Sequence, residues 1–142
     1  MKLEITLIIA AAAALLNIWL AVRVGRVRTS EKVSVGDGGN EAVIRRMRAH
    51  ANFVEYTPFF LILLGLVELA WGSNIWLWGA AIIYILGRIA HGFGMDGIGK
   101  LRAFGTISTL LVLLGLAIYA LVIAYSGTSF VGMETVPTSS AG

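Results

Sequence analysis

The chain has 142 residues, 58% of them hydrophobic and 13% charged, with a formal net charge of +3, and its mean hydropathy is +0.85. That balance leaves too little polar surface to cover a water-soluble globule of this size, so it points to an integral membrane protein. With no cysteine there is no disulfide framework, thiolate metal site or cysteine nucleophile, and with only His50 and His91 as imidazole ligands no protein-built metal centre is expected.

A helix needs about 20 predominantly apolar residues to cross roughly 30 Å of hydrocarbon, and four stretches meet that length. The first span is predicted from Leu3 to Val24. Its opening, MKLEITLIIAAAAALLNIWLAV, has the apolar run of a signal peptide, but Glu4 stands where a basic n-region belongs and the run is too long for an h-region. A retained span is therefore expected. In the segment that follows, Gly36, Asp37, Gly38 and Gly39 mark a tight turn. Asn40 is then the N-cap of the second helix, with Glu41 favourably placed in its first turn. The second span is predicted from Val43 to Trp71, and the short WGSN at 71–74 makes it an antiparallel hairpin with the third, Ile75 to Ala90. The glycines of HGFGMDGIG read as a loop and close-packing device rather than a phosphate cradle, because no strand precedes them. The fourth span is predicted from Ala103 to Tyr125. Residues 1–125 thus form one all-α, four-transmembrane-helix bundle, and 126–142, lacking sustained periodicity, a disordered tail.

Ten of the eleven basic residues, all but Lys2, lie in or beside the loops joining spans one to two and three to four. By the positive-inside rule those loops face the cytoplasm and both termini face away from it. These charges are explained by topology, and no nucleic-acid partner is expected. Trp71, Trp76 and Trp78 sit where an aromatic belt belongs on the far interface.

Some polar residues resist that reading. On a helix, positions 48, 52 and 55 fall within about 60° of one another, and Arg45 joins the same stripe. An ionisable group at membrane depth costs at least a few kcal/mol unless it is paired or faces a cavity, so this face should look into a bundle or an interface. Two readings stand. In one, Arg45, Arg46 and Arg48 are anchors snorkelling to the headgroups, with Asn52 and Glu55 as interhelical glue; for Arg46 this is preferred. In the other, Glu55 is a buried carboxylate needing a cationic partner. Arg88 and His91 share a face of the third helix near the same end, and Lys100 and Arg102 open the fourth span there. Arg48, Arg88, His91 and Arg102 are thus expected at one level around Glu55, an excess of positive charge suited to a multiply anionic polar ligand. Taken singly, Arg88 also fits a plain glutamate partner, His91 a helix-end interfacial histidine and Lys100 a topology charge.

The stretch RAHANFVEYTPF resembles the hallmark segment of the MAPEG family, the membrane-associated proteins of eicosanoid and glutathione metabolism. Arg48, Ala49, Asn52, Glu55, Tyr56 and Pro58 match its Arg-Ala-x-x-Asn-x-x-Glu-Tyr-x-Pro pattern, and VSVGDGGN resembles the loop of bacterial members. The resemblance implies a homotrimer in a bacterial inner membrane, with glutathione as co-substrate in a cleft between protomers. It implies that Arg48, Asn52, Glu55 and Tyr56 bind glutathione together with Arg88 and His91 from the third helix. His91 falls on a position held by tyrosine in the leukotriene-forming relatives, and Met95 on a second one. Arg102 falls on the arginine credited there with stabilising the thiolate, and is the expected catalytic residue. In chemical terms, arginines suit the two carboxylates of glutathione and Glu55 its ammonium, while a nearby guanidinium favours the thiolate.

The implied function is a membrane-bound glutathione transferase or peroxidase acting on lipophilic electrophiles or lipid hydroperoxides. The alternative is a non-catalytic lipid- or partner-binding member of the family. A third reading, a small transporter subunit, is disfavoured because only the second span carries charge near its middle and no inverted repeat is visible.

Overall fold

The computed structural model describes residues 2–127, and these form four helices with no strand among them. They are α1 (Glu4–Glu31), α2 (Glu41–Trp71), α3 (Ile75–Gly94) and α4 (Gly99–Tyr125). Each is long and apolar enough to cross a membrane, so the chain is a multi-pass membrane protein. The tail expected to be disordered lies, from residue 128 on, outside the described residues.

The helices extend beyond the apolar runs that announce them. α1 continues to Glu31 and α4 begins at Gly99, because helical hydrogen bonding does not stop where the hydrocarbon does. Local signals set the joints. Gly36, Gly38 and Gly39 all adopt positive φ, the Asp37 side chain accepts the Gly39 N–H at 2.8 Å, and Asn40 caps α2 by accepting the Val43 N–H at 3.1 Å. Asn74 caps α3 in the same way, accepting from Trp76 and Leu77.

In the bundle α3 packs most extensively on α4 and α1 on α2, while the backbones of α1 and α4 do not approach closely among the described residues. Small residues bring α3 and α4 together, as expected where lipid supplies no hydrophobic drive between helices. A Cβ on Gly105 would stand 2.5 Å from the Gly87 carbonyl and from the His91 Cβ, and one on Gly94 would collide with the Arg102 backbone. The expected close-packing role of the 91–99 glycines is thus met at Gly94, and at Gly92, where a Cβ would press on Trp19.

Apolar cores occupy both halves. At the far end Ile5, Phe60, Leu64, Val67, Leu77 and Tyr84 cluster, and towards the basic end Ala13, Leu16, Leu20, Ala49 and Phe53 do so. Residues such as Leu7, Phe59, Ile62 and Leu111 remain exposed, the lipid-facing surface of a membrane bundle.

Glu68 anchors the far end. It is 1% exposed, and its carboxylate accepts the Ile5 and Thr6 backbone N–H groups at 2.8 Å each and the Thr6 and Ser73 hydroxyls at 2.6 Å each. Leu3, the residue in the N-cap position of α1, has no side-chain cap. Glu68 therefore supplies from α2 what the local sequence lacks, and its charge suits the positive end of the helix dipole.

Candidate functional site

The polar residues of the basic end divide into a structural tie and a more open cluster. In the tie, Asp96, in the turn between α3 and α4, pairs with Arg23 of α1 and, at 2.6 Å, with Arg46 of α2. Arg23 also donates to the Gly92 carbonyl at 2.8 Å and lies against the rings of Trp19 and Phe93. Arg46 is thus not the free headgroup anchor expected, because a carboxylate fifty residues away in sequence reaches it first. Arg45, expected on the polar stripe, pairs with Glu41 one turn back. His50 bonds to Asn17 of α1 at 2.8 Å.

The open cluster starts on α2. Ala49, Phe53, Thr57, Phe60 and Leu64 are among its buried positions, centred roughly 130° round the helix from the 48–52–55 stripe at 3.6 residues per turn. Arg48 and Glu55 are therefore exposed on the surface of the chain, Asn52 and Tyr56 half-buried at the edge. Glu55 forms no hydrogen bond or ion pair among the described residues. Of the two outlooks expected for this stripe, into the bundle or into an interface, the chain itself does not supply the first for Glu55: helical periodicity shows which residues share a face, but the apolar positions opposite them decide which way that face turns.

Behind the stripe lies Arg88, 2% exposed. It donates to the Asn52 side-chain oxygen at 2.7 Å and to the Thr109 hydroxyl at 3.3 Å. The Phe53 ring lies beside the guanidinium, 5.9 Å away, and Tyr56 and Tyr84 are within electrostatic reach. The Tyr84 hydroxyl meets that of Thr57 at 3.0 Å, and its ring stacks on Phe60. One turn on, His91 is 5% exposed and within electrostatic reach of both Arg88 and Arg102. Arg102 itself is exposed, in the first turn of α4. Arg88 Nε and His91 Nδ1 are buried without a hydrogen-bond partner. Such atoms are uncommon, since a buried polar group left unpaired costs about 1–3 kcal/mol.

The structure thus gathers Asn52, Tyr56, Arg88, His91 and Arg102 where α2, α3 and α4 meet, with Arg48 and Glu55 on the adjoining outer face of α2. Thr109, which accepts from Arg88, and the Thr57–Tyr84 hydroxyl pair are not singled out by the sequence reading; Tyr84, one turn before Arg88 on α3, is the one that helical spacing marks. No group of three or more potential metal ligands occurs among the described residues. A largely apolar groove of about 1200 Å³ runs along α3 and α4 between Trp76 and Phe104, with Ser108 and Tyr119 in its lining and no charged residue.

Comparison with known proteins settles the affiliation. The model of the MAPEG family matches residues 6–122. The chain belongs to the MAPEG family. It is also 33% identical over 86 residues to a protein named inner membrane protein YecN, from Escherichia coli K12 and from the O6:H1 strain CFT073. That match takes in 60% of this MAPEG chain and 65% of the relative, so just under two thirds of the relative's length is covered.

Proposed function

We propose that the protein is a glutathione-dependent transferase or peroxidase of the inner membrane, acting as a homotrimer on lipophilic electrophiles or lipid hydroperoxides. The observation that carries this reading is Glu55, a carboxylate on the outer face of a membrane helix with no partner among the described residues, on the same face as Arg48 and in front of a buried arginine. A charge at that depth needs company, and a neighbouring protomer together with a charged ligand supplies it.

The donor set fits glutathione. Arg48 takes a carboxylate bidentately and Glu55 takes the ammonium. Arg88, engaged with Asn52 and Thr109, acts mainly by holding the Asn52 amide in place and by its charge. Tyr56 and His91 belong to the same cluster, and the orphaned atoms of His91 and Arg88 gain partners when a polar ligand or its water reaches them. Arg102 is the group nearest the thiol. Its guanidinium lowers the free energy of the thiolate relative to the thiol, whose pKa is about 8.5 in free cysteine, and it stays in place as charge develops on the departing group. The second substrate arrives laterally from the lipid. The protein itself contributes no thiol, because it has no cysteine.

The deciding experiment is ultraviolet absorbance of the thiolate on adding glutathione to the purified protein, compared with an S-alkyl glutathione that has no thiol. Binding of both with thiolate absorbance for glutathione alone is the expected result. Binding without thiolate formation would favour the non-catalytic member of the family. Native mass spectrometry in detergent tests the trimer, and a stable monomer binding glutathione stoichiometrically would contradict it.

A further inference from the structure

A polar cavity of about 420 Å³ lies at the basic end between Val27 of α1, Glu41, Ala42, Arg45 and Arg46 of α2, and Asp96 of the α3–α4 turn. It is independent of the glutathione reading, and none of its residues belongs to the cluster around Arg88. Its depth relative to the bilayer follows from the sequence: Val27 stands about one turn beyond the end of the first apolar run, and Glu41 opens α2 just before the second. That is the level of phospholipid headgroups.

The cavity carries two guanidinium and two carboxylate groups, with charges of opposite sign side by side. Its inner wall, Arg46 with Asp96 and Arg23, is a fixed tie. Its outer rim, Arg45 with Glu41, is an exposed pair of neighbouring helical turns, and such pairs contribute little to stability and open readily. Ala42, a small side chain, forms part of the wall.

We propose that this cavity binds the headgroup of an aminophospholipid, whose phosphate takes the place of Glu41 on Arg45 and whose primary ammonium bonds to the freed Glu41 carboxylate. Arginine matches a phosphate bidentately. A site with both signs of charge exchanges one internal pair for two external ones when the ligand is zwitterionic. A purely anionic headgroup would leave Glu41 repelled by the phosphate, and a quaternary ammonium would satisfy the charge of Glu41 without donating a hydrogen bond to it.

The test is lipid retention by the intact protein, taken from nanodiscs containing phosphatidylethanolamine, phosphatidylcholine and phosphatidylglycerol in equal amounts and read by native mass spectrometry. Phosphatidylethanolamine should be retained over phosphatidylcholine by about tenfold, a difference of roughly 1.4 kcal/mol. Glu41→Gln, at an exposed position, should abolish that preference, and Arg45→Gln should lower retention of both lipids. Soluble glycerophosphoethanolamine should displace the lipid only weakly; if it bound as tightly as the lipid, the ligand would be a free phosphate ester and the lipid assignment would fail. Equal retention of the three lipids, preference for phosphatidylglycerol, or a preference that survives Glu41→Gln would each overturn the proposal.

Discussion

Glu68 and Arg88 are both ionisable, both 1–2% exposed and both held inside a membrane bundle, yet they are provisioned differently. The Glu68 carboxylate receives four hydrogen bonds, two from backbone amides and two from hydroxyls. Arg88 is bound to Asn52 and Thr109 but keeps a buried Nε without a partner, and the neighbouring His91 has the same deficit at Nδ1. A buried charge with its partners complete holds structure together; one left incomplete beside an exposed charged stripe marks a place for something else. The far end of the bundle is therefore the anchor, and the basic end is where our proposal puts a ligand.

The widest separation between the two ends should come from Glu68→Ala. Removing the carboxylate strips two backbone donors and two hydroxyls of their acceptor, and should lower stability by about 3 kcal/mol, measured by reversible unfolding in mixed micelles. At temperatures where the variant stays folded, its affinity for S-alkyl glutathione should equal that of the wild type. A loss of affinity there would break the division between anchor and site.

Arg102→Ala should show the opposite pattern, with unfolding unchanged and kcat at saturating glutathione lowered by about 100-fold, or roughly 2.7 kcal/mol. The sign of the pH effect follows from the charge. Without the guanidinium the bound thiol ionises at higher pH, so the rising limb of the pH–rate profile should move upward, while the Kd of S-alkyl glutathione stays nearly constant. An unmoved profile would transfer thiol activation to another group.

Glu55→Gln keeps the shape of the side chain and removes its charge. Glutathione affinity should fall by about tenfold, near 1.4 kcal/mol, and a desamino-glutathione should bind wild type and variant alike. A desamino analogue that also binds the variant less tightly would remove Glu55 from ammonium recognition. The smallest effect is expected from Ser73→Ala, which takes one of four donors from Glu68. It should cost about 1 kcal/mol in unfolding and nothing in ligand binding, and a detectable change in glutathione affinity would show that the two ends communicate.

Much of the architecture was legible in the sequence because its signals are local. Apolar runs report bilayer thickness, Asn40 caps a helix by bonding three residues ahead, and the positive-φ glycines at 36, 38 and 39 mark the turn. The same locality explains what escaped. Hydropathy marks the hydrocarbon boundary and not the end of hydrogen bonding, so the last turns of α1 were taken for loop. Glu68 meets Ile5 from 63 positions away and Asp96 meets Arg23 from 73, distances at which no pattern in the chain announces a partner. For the same reason Arg46 read as a headgroup anchor. At the site the collinearity of Arg48, Asn52 and Glu55 was readable, but its outward direction depended on how α1, α3 and α4 take up the opposite side of α2.

The long reach of Glu68 also bears on the order of events during synthesis. Chains emerge N-terminal end first, so the first turn of α1 exists before the residue that caps it. Until α2 has been made through to residue 68, and Ser73 after it, the amides of Ile5 and Thr6 must rely on water or lipid headgroups. The first helix can enter the bilayer early, but it acquires its final seat only when the second helix has returned to the same side. Half the protein must therefore be in the membrane before its beginning is locked.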